Sequence, residues 1–128
     1  MNQGFGPHVM LDLNSCCSAK CSSVDNCFNF LNDLPTIIGM TKITQPYVFP
    51  YEGLKKEDKG ITGYVIIAES HISIHTFPIK KYVFIDIFSC KPFNTNQAID
   101  IAINMFESKD PDYNIIKRGK SFPSLVYS

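Results

Sequence analysis

A chain of 128 residues holds one domain and leaves no room for a second of ordinary size. Charged residues make up 19% and hydrophobic residues 45%, the balance of a soluble globular domain. Twelve Lys and Arg side chains offset twelve Asp and Glu. That excludes the positive excess needed for broad nucleic-acid or anionic-membrane binding, and it favours self-association.

No apolar run approaches the ~18 residues of a membrane span. Met1 to Met10 lacks the basic-then-apolar plan of a secretory signal, so the expected setting is the cytoplasm. Residues 7–13 alternate, with Val9, Leu11 and Leu13 on one face, and predict a half-buried strand. Residues 24–34 carry Val24, Cys27, Phe28, Leu31 and Leu34 at helical spacing, behind Ser22 or Ser23 as cap, and Pro35 limits the helix. Residues 37–49 read as strand, broken at Pro46. The charged stretch 52–60 is an exposed loop.

Residues 61–68 predict a buried central strand, 71–77 an alternating one, Pro78 to Lys81 a turn and 82–90 a third strand. A second helix fits 95–108, capped by Asn94 or Thr95. The tail after Asp110 is less regular. The order β-α-β-β-β-β-α predicts an α+β fold: a two-layer sandwich, a mainly antiparallel sheet with both helices on one face. Its uncovered face, rich in aromatic residues, predicts a homodimer or higher oligomer packed sheet on sheet.

Five cysteines without a secretory signal argue against a disulfide framework. Cys16, Cys17 and Cys21 raise the question of a metal site. No C-x-x-C pair exists and the histidines lie far off in sequence, so no metal is expected. Cys16, Cys17, Cys21 and Cys27 read as small half-buried residues.

The densest polar cluster within apolar sequence is Glu69, Ser70, His71, Ser73 and His75, followed by Asp86 and Cys90. On a strand His71 and His75 share a face about 13 Å apart, too far to chelate one metal. A serine nucleophile is one reading of Ser70, although no G-x-S-x-G elbow is present.

The string AESHISIHTFP at residues 68–78, then YVFIDIFSC at 82–90 and the early Gly6-Pro7-His8, closely resembles the prokaryotic S-adenosylmethionine decarboxylase proenzymes. The resemblance spans roughly residues 4–107. It implies a self-cleaving carboxy-lyase of polyamine (spermidine) biosynthesis, cut between Glu69 and Ser70 into chains 1–69 and 70–128. Ser70 would become a covalent pyruvoyl group, with neither pyridoxal phosphate nor metal. A decarboxylase needs an electron sink for the carbanion left by CO2, and a ketone that forms a Schiff base with the substrate amine provides one.

By the same resemblance His75 assists processing, Thr62 stands at a position linked to processing, and Cys90 is the proton donor. An ordinary thiol, with a pKa of about 8.5, is mostly protonated at neutral pH and can serve. Phe49, Tyr51, Phe77 and Glu52 are candidate substrate-binding residues, the aromatics as adenine stackers.

The chain departs from the family where Ile79 stands at a position usually held by glutamate, and where the loop 52–60 is longer. This keeps a second reading open: a pyruvoyl-dependent arginine or ornithine decarboxylase whose pocket carboxylate comes from Glu52, Glu57 or Asp58. A third reading, a non-catalytic regulatory relative, conflicts with the intact set of Ser70, His75 and Cys90.

Overall fold

The alternation at the start of the chain becomes strand β1 (Gly6–Asn14), with Val9, Leu11 and Leu13 fully buried. In the computed structural model, which describes residues 5–123, a one-turn helix α1 (Ser18–Cys21) follows, then α2 (Val24–Ile37). Ser23 caps α2: its Oγ accepts from the Asn26 amide at 3.0 Å. Pro35 does not stop this helix, which runs two residues beyond it. The proline removes one backbone donor, but it is buried along with Leu31 and Leu34. Gly39 then takes a left-handed φ of +81° and ends the helix.

The strand expected over 37–49 is correspondingly reduced to β2 (Thr41–Lys42) and β3 (Tyr47–Tyr51). Pro50 is tolerated inside β3 because that strand pairs only with β4. The charged loop stays exposed around one 3-10 turn at Lys56–Asp58. The meander follows as β4 (Gly60–Ala68), β5 (Ser70–Phe77) and β6 (Tyr82–Phe88), two residues shorter than expected because Ser89 and Cys90 leave the strand. Helix α3 (Thr95–Phe106) is capped by Asn94, whose Oδ1 accepts from the Gln97 amide at 3.0 Å.

The irregular tail proves to be a strand, β7 (Asp110–Arg118), paired antiparallel with β1 along its whole length. All nine of its residues are exposed, so burial imposed no alternating pattern on the sequence.

The sheet order is β2-β4-β5-β6-β1-β7 with β3 also on β4, and every pairing is antiparallel. One face carries Val65, Ile67, Ile72, Ile74, Val83, Ile85 and Ile87, all buried under α2 and α3. The two helices meet through Phe30 and Phe106, ring centroids 5.7 Å apart. Phe106 is 0% exposed, so Phe106→Ala is expected to cost about 3–5 kcal/mol. Urea titration should show it as a lower midpoint with an unchanged slope.

The expected two layers are therefore present. The central strand β4 is buried on one face only. The other face bears Tyr47, Phe49, Tyr64 and Phe84, each at least 39% exposed.

Candidate active site

Antiparallel register decides which polar residues can meet. Thr62 of β4 faces His75 of β5, which faces Phe84 of β6, and Phe49 of β3 faces Thr62. These four form a row across the open face. Thr62 Oγ1 and His75 Nδ1 are 3.3 Å apart. That contact occupies one ring nitrogen and leaves Nε2 unpaired among the described residues.

Around this pair lies a cavity of about 490 Å³ lined by Phe49, Tyr51, Asp58, Thr62, His75 and Phe77, among others. Three of the four residues expected to bind substrate thus gather with both residues linked to processing. The fourth, Glu52, is exposed and outside the lining. Ile79 is exposed too, and lines a separate hollow with Val24, Pro50 and Ile61.

Ser70 lies at the other end of β5. Residues 68–69 form the two-residue turn between Ile67 and Ser70, which pair across the β4–β5 hairpin. The neighbouring strand delivers Cys90 just past its end, and the Glu69 amide donates to Cys90 Sγ at 3.2 Å. A hydrogen-bonded thiol beside the Glu69–Ser70 bond is placed to exchange a proton with whatever forms there. Ser89, one residue earlier, is fully buried and donates to Met40 Sδ at 3.2 Å, which anchors this corner.

Between the two ends a third group occupies the open face. His8 Nε2 lies 3.0 Å from Asp86 Oδ1. Phe88 sits among His8, His71 and Arg118, whose guanidinium lies 4.2 Å from the ring centroid. Burial, reinforced by the nearby His8 and Arg118 charges, holds the His71 pKa below its usual value despite the opposing pull of Asp86. A neutral His71 is thereby favoured next to Ser70.

The two ends do not meet within one chain. Five residue steps of strand separate Ser70 from His75, about 17 Å.

None of the N-terminal cysteines lines the cavity at the His75 end, although the Cys21 carbonyl accepts from Thr76 Oγ1 at 2.8 Å. Cys16, Cys21 and Cys27 are buried, all five thiols are free, and the described residues contain no group of three or more His, Cys, Asp or Glu suited to a metal. Contact with Cys16 and burial raise the Cys21 pKa, and burial pushes Cys27 up to about 12.

Residues 7–119 match the family model described as S-adenosylmethionine decarboxylase. The chain is 35% identical over 83 residues to the S-adenosylmethionine decarboxylase proenzyme of Thermococcus kodakarensis, a stretch covering 64% of this chain and 54% of that protein. It thus spans about half the length of that relative. The Aquifex aeolicus proenzyme is 30% identical over 120 residues, covering 93% of this chain and 84% of the relative. The crystal structure of the adenosylmethionine decarboxylase from Aquifex aeolicus superposes with a TM-score of 0.78 at 28% identity, covering 91% of this chain and 92% of that one. A match across nearly the whole described domain, in sequence and in fold, establishes that the chain belongs to the S-adenosylmethionine decarboxylase family.

Proposed function

We propose that the chain is a self-processing, pyruvoyl-dependent decarboxylase of S-adenosylmethionine. The observation that carries this reading is the Cys90 thiol hydrogen-bonded to the Glu69 amide, against the bond expected to break. Ser70 Oγ adds to the Glu69 carbonyl carbon as the Glu69–Ser70 C–N bond breaks, which converts the amide to an ester. Removal of the residue-70 Cα proton then expels the Glu69 carboxylate from Cβ. The dehydroalanine left behind takes a proton at Cβ to become an imine, water replaces its nitrogen, which leaves as ammonia, and a ketone remains at the head of the chain that continues with His71.

The residues around Ser70 suit such a group: the hairpin end is partly exposed, and the thiol beside it can hold a proton. Once formed, the pyruvoyl supplies the electron sink for the electrons released with CO2. Cys90 returns a proton to the substrate carbon. The cavity at the His75 end holds the rest of the substrate against Phe49, Tyr51 and Phe77.

The reading includes a homodimer. His75 is about 17 Å from the Ser70 of its own chain. A second copy stacked on the open face, about a two-fold axis running across the strands, sets β5 antiparallel to its mate. The 75 end of one copy then lies over the 70 end of the other, twice by symmetry. The aromatic residues of that face supply apolar area for the contact.

Intact-mass spectrometry of the purified protein, followed by CO2 release from S-adenosylmethionine, arginine, ornithine and lysine, tests the reading. Two chains split at Glu69/Ser70, the second carrying a pyruvoyl mass, with turnover of S-adenosylmethionine, are expected. Turnover of arginine or ornithine alone would overturn the substrate, and one inert uncut chain would overturn the class.

A further inference from the structure

The cavity at the His75 end has a single carboxylate in its lining, Asp58. The fold goes to some length to hold it there. Gly53, at a left-handed φ of +74°, brings the loop back on itself so closely that a Cβ at Gly53 would stand 3.3 Å from Asp58 Cβ. From the other side, Lys80 Nζ, on the turn after β5, donates to Asp58 Oδ1 at 2.7 Å. The Asp58 side chain is 34% exposed, so part of it remains open to a ligand. The same contact raises the Lys80 pKa, which keeps the ammonium charged across the physiological range.

A carboxylate offers about four acceptor positions, and Lys80 takes one of them. What remains is acceptor capacity on a group whose charge is already balanced. That combination discriminates between two kinds of ligand. A second cation, such as a guanidinium, would gain little from an ion-paired carboxylate. Neutral hydroxyl donors lose nothing to that pairing and can use the free oxygen. The same cavity is lined by the aromatic side chains of Phe49, Tyr51 and Phe77, which offer surface for a flat base. A flat base joined to a hydroxyl-bearing ring is a nucleoside.

We infer that Asp58 accepts hydrogen bonds from the ribose hydroxyls of S-adenosylmethionine, and so selects for the ribonucleoside part of the substrate. The inference rests on the proposed substrate and adds the residue that recognises its sugar.

The probe is 5′-methylthioadenosine, which has the nucleoside without the sulfonium or amino acid, compared with its 2′-deoxy form by calorimetric titration. The wild-type protein is expected to prefer the ribose form by about 10-fold. Asp58→Asn puts an amide donor where the free oxygen was. It should bind both forms alike, and raise KM for S-adenosylmethionine about 10-fold with kcat changed less than about two-fold. Lys80→Met breaks the same ion pair but keeps the carboxylate, so it should retain the ribose preference. This separates recognition from mere support of the loop.

Equal ribose preference in the wild type and Asp58→Asn, in a protein that decarboxylates S-adenosylmethionine, would overturn this inference and leave the proposed function standing. Wild-type protein that is cleaved, ignores both nucleosides and turns over only arginine or ornithine would overturn the substrate reading, and the role of Asp58 with it.

Discussion

Ser70→Ala is expected to yield one uncut chain of 128 residues that releases no CO2. The serine has three uses in the proposed reaction, and alanine supplies none of them. Its Oγ is the nucleophile that turns the Glu69–Ser70 amide into an ester. The same oxygen is the leaving atom when the Cα proton departs. Its Cα and Cβ become the ketone and methyl carbons of the pyruvoyl. The loss should therefore be complete rather than graded. The fold should survive it, because Ser70 is only partly buried and pairs through its backbone with Ile67 at the hairpin end.

Cys90→Ala supplies the contrast. It removes the thiol that accepts from the Glu69 amide, yet it takes away neither the nucleophile nor the leaving group. Cleavage should persist, at least in part, while kcat falls by about 10²–10⁴-fold for want of a positioned acid. Intact mass separates the two variants before any activity is measured. A cut Ser70→Ala chain would remove Ser70 from its role, and a fully active Cys90→Ala enzyme would show that another group returns the proton.

Much of the sheet was legible in the sequence because burial on one face imprints an alternating pattern. Val9, Leu11 and Leu13, and again Ile72, Ile74 and Thr76, turn inward as their spacing indicates. The strand β7 was not legible for the opposite reason. It earns its place through backbone pairing to β1, and its side chains, including the adjacent Ile115 and Ile116, are all exposed. Pro35 misled because a proline ends a helix only when nothing offsets the lost donor, and here Pro35 is buried on the inward side of α2. The candidate site divides along similar lines. The pairing of Glu69 with Cys90 follows from the meander once its strands are in register. The capture of Asp58 by Lys80 depends on how a charged loop folds back, and no periodicity reports that.

Co-expressing His75→Ala with Ser70→Ala should restore cleavage that neither variant achieves alone. In the Ser70→Ala chain there is nothing to cut. In the His75→Ala chain Ser70 is intact, but the histidine proposed to assist it is missing from every copy, and processing should slow by about 10²–10⁴-fold. In the proposed dimer, a mixed pair holds one site with both defects and one with neither. In the second, Ser70 of the His75→Ala chain faces His75 of the Ser70→Ala chain, still paired with its Thr62. Only the His75→Ala chains should then be cut, and the mixed dimer should reach at most about half the wild-type activity, as two-fold symmetry requires.

Tags of different mass on the two chains allow the mixed dimer to be isolated and the cut chain to be identified by intact mass. Isolated mixed dimers with both chains whole would show that His75 acts within its own chain. The strand would then have to carry it across about 17 Å, which a residue paired on both sides by Thr62 and Phe84 cannot do without unpairing β5.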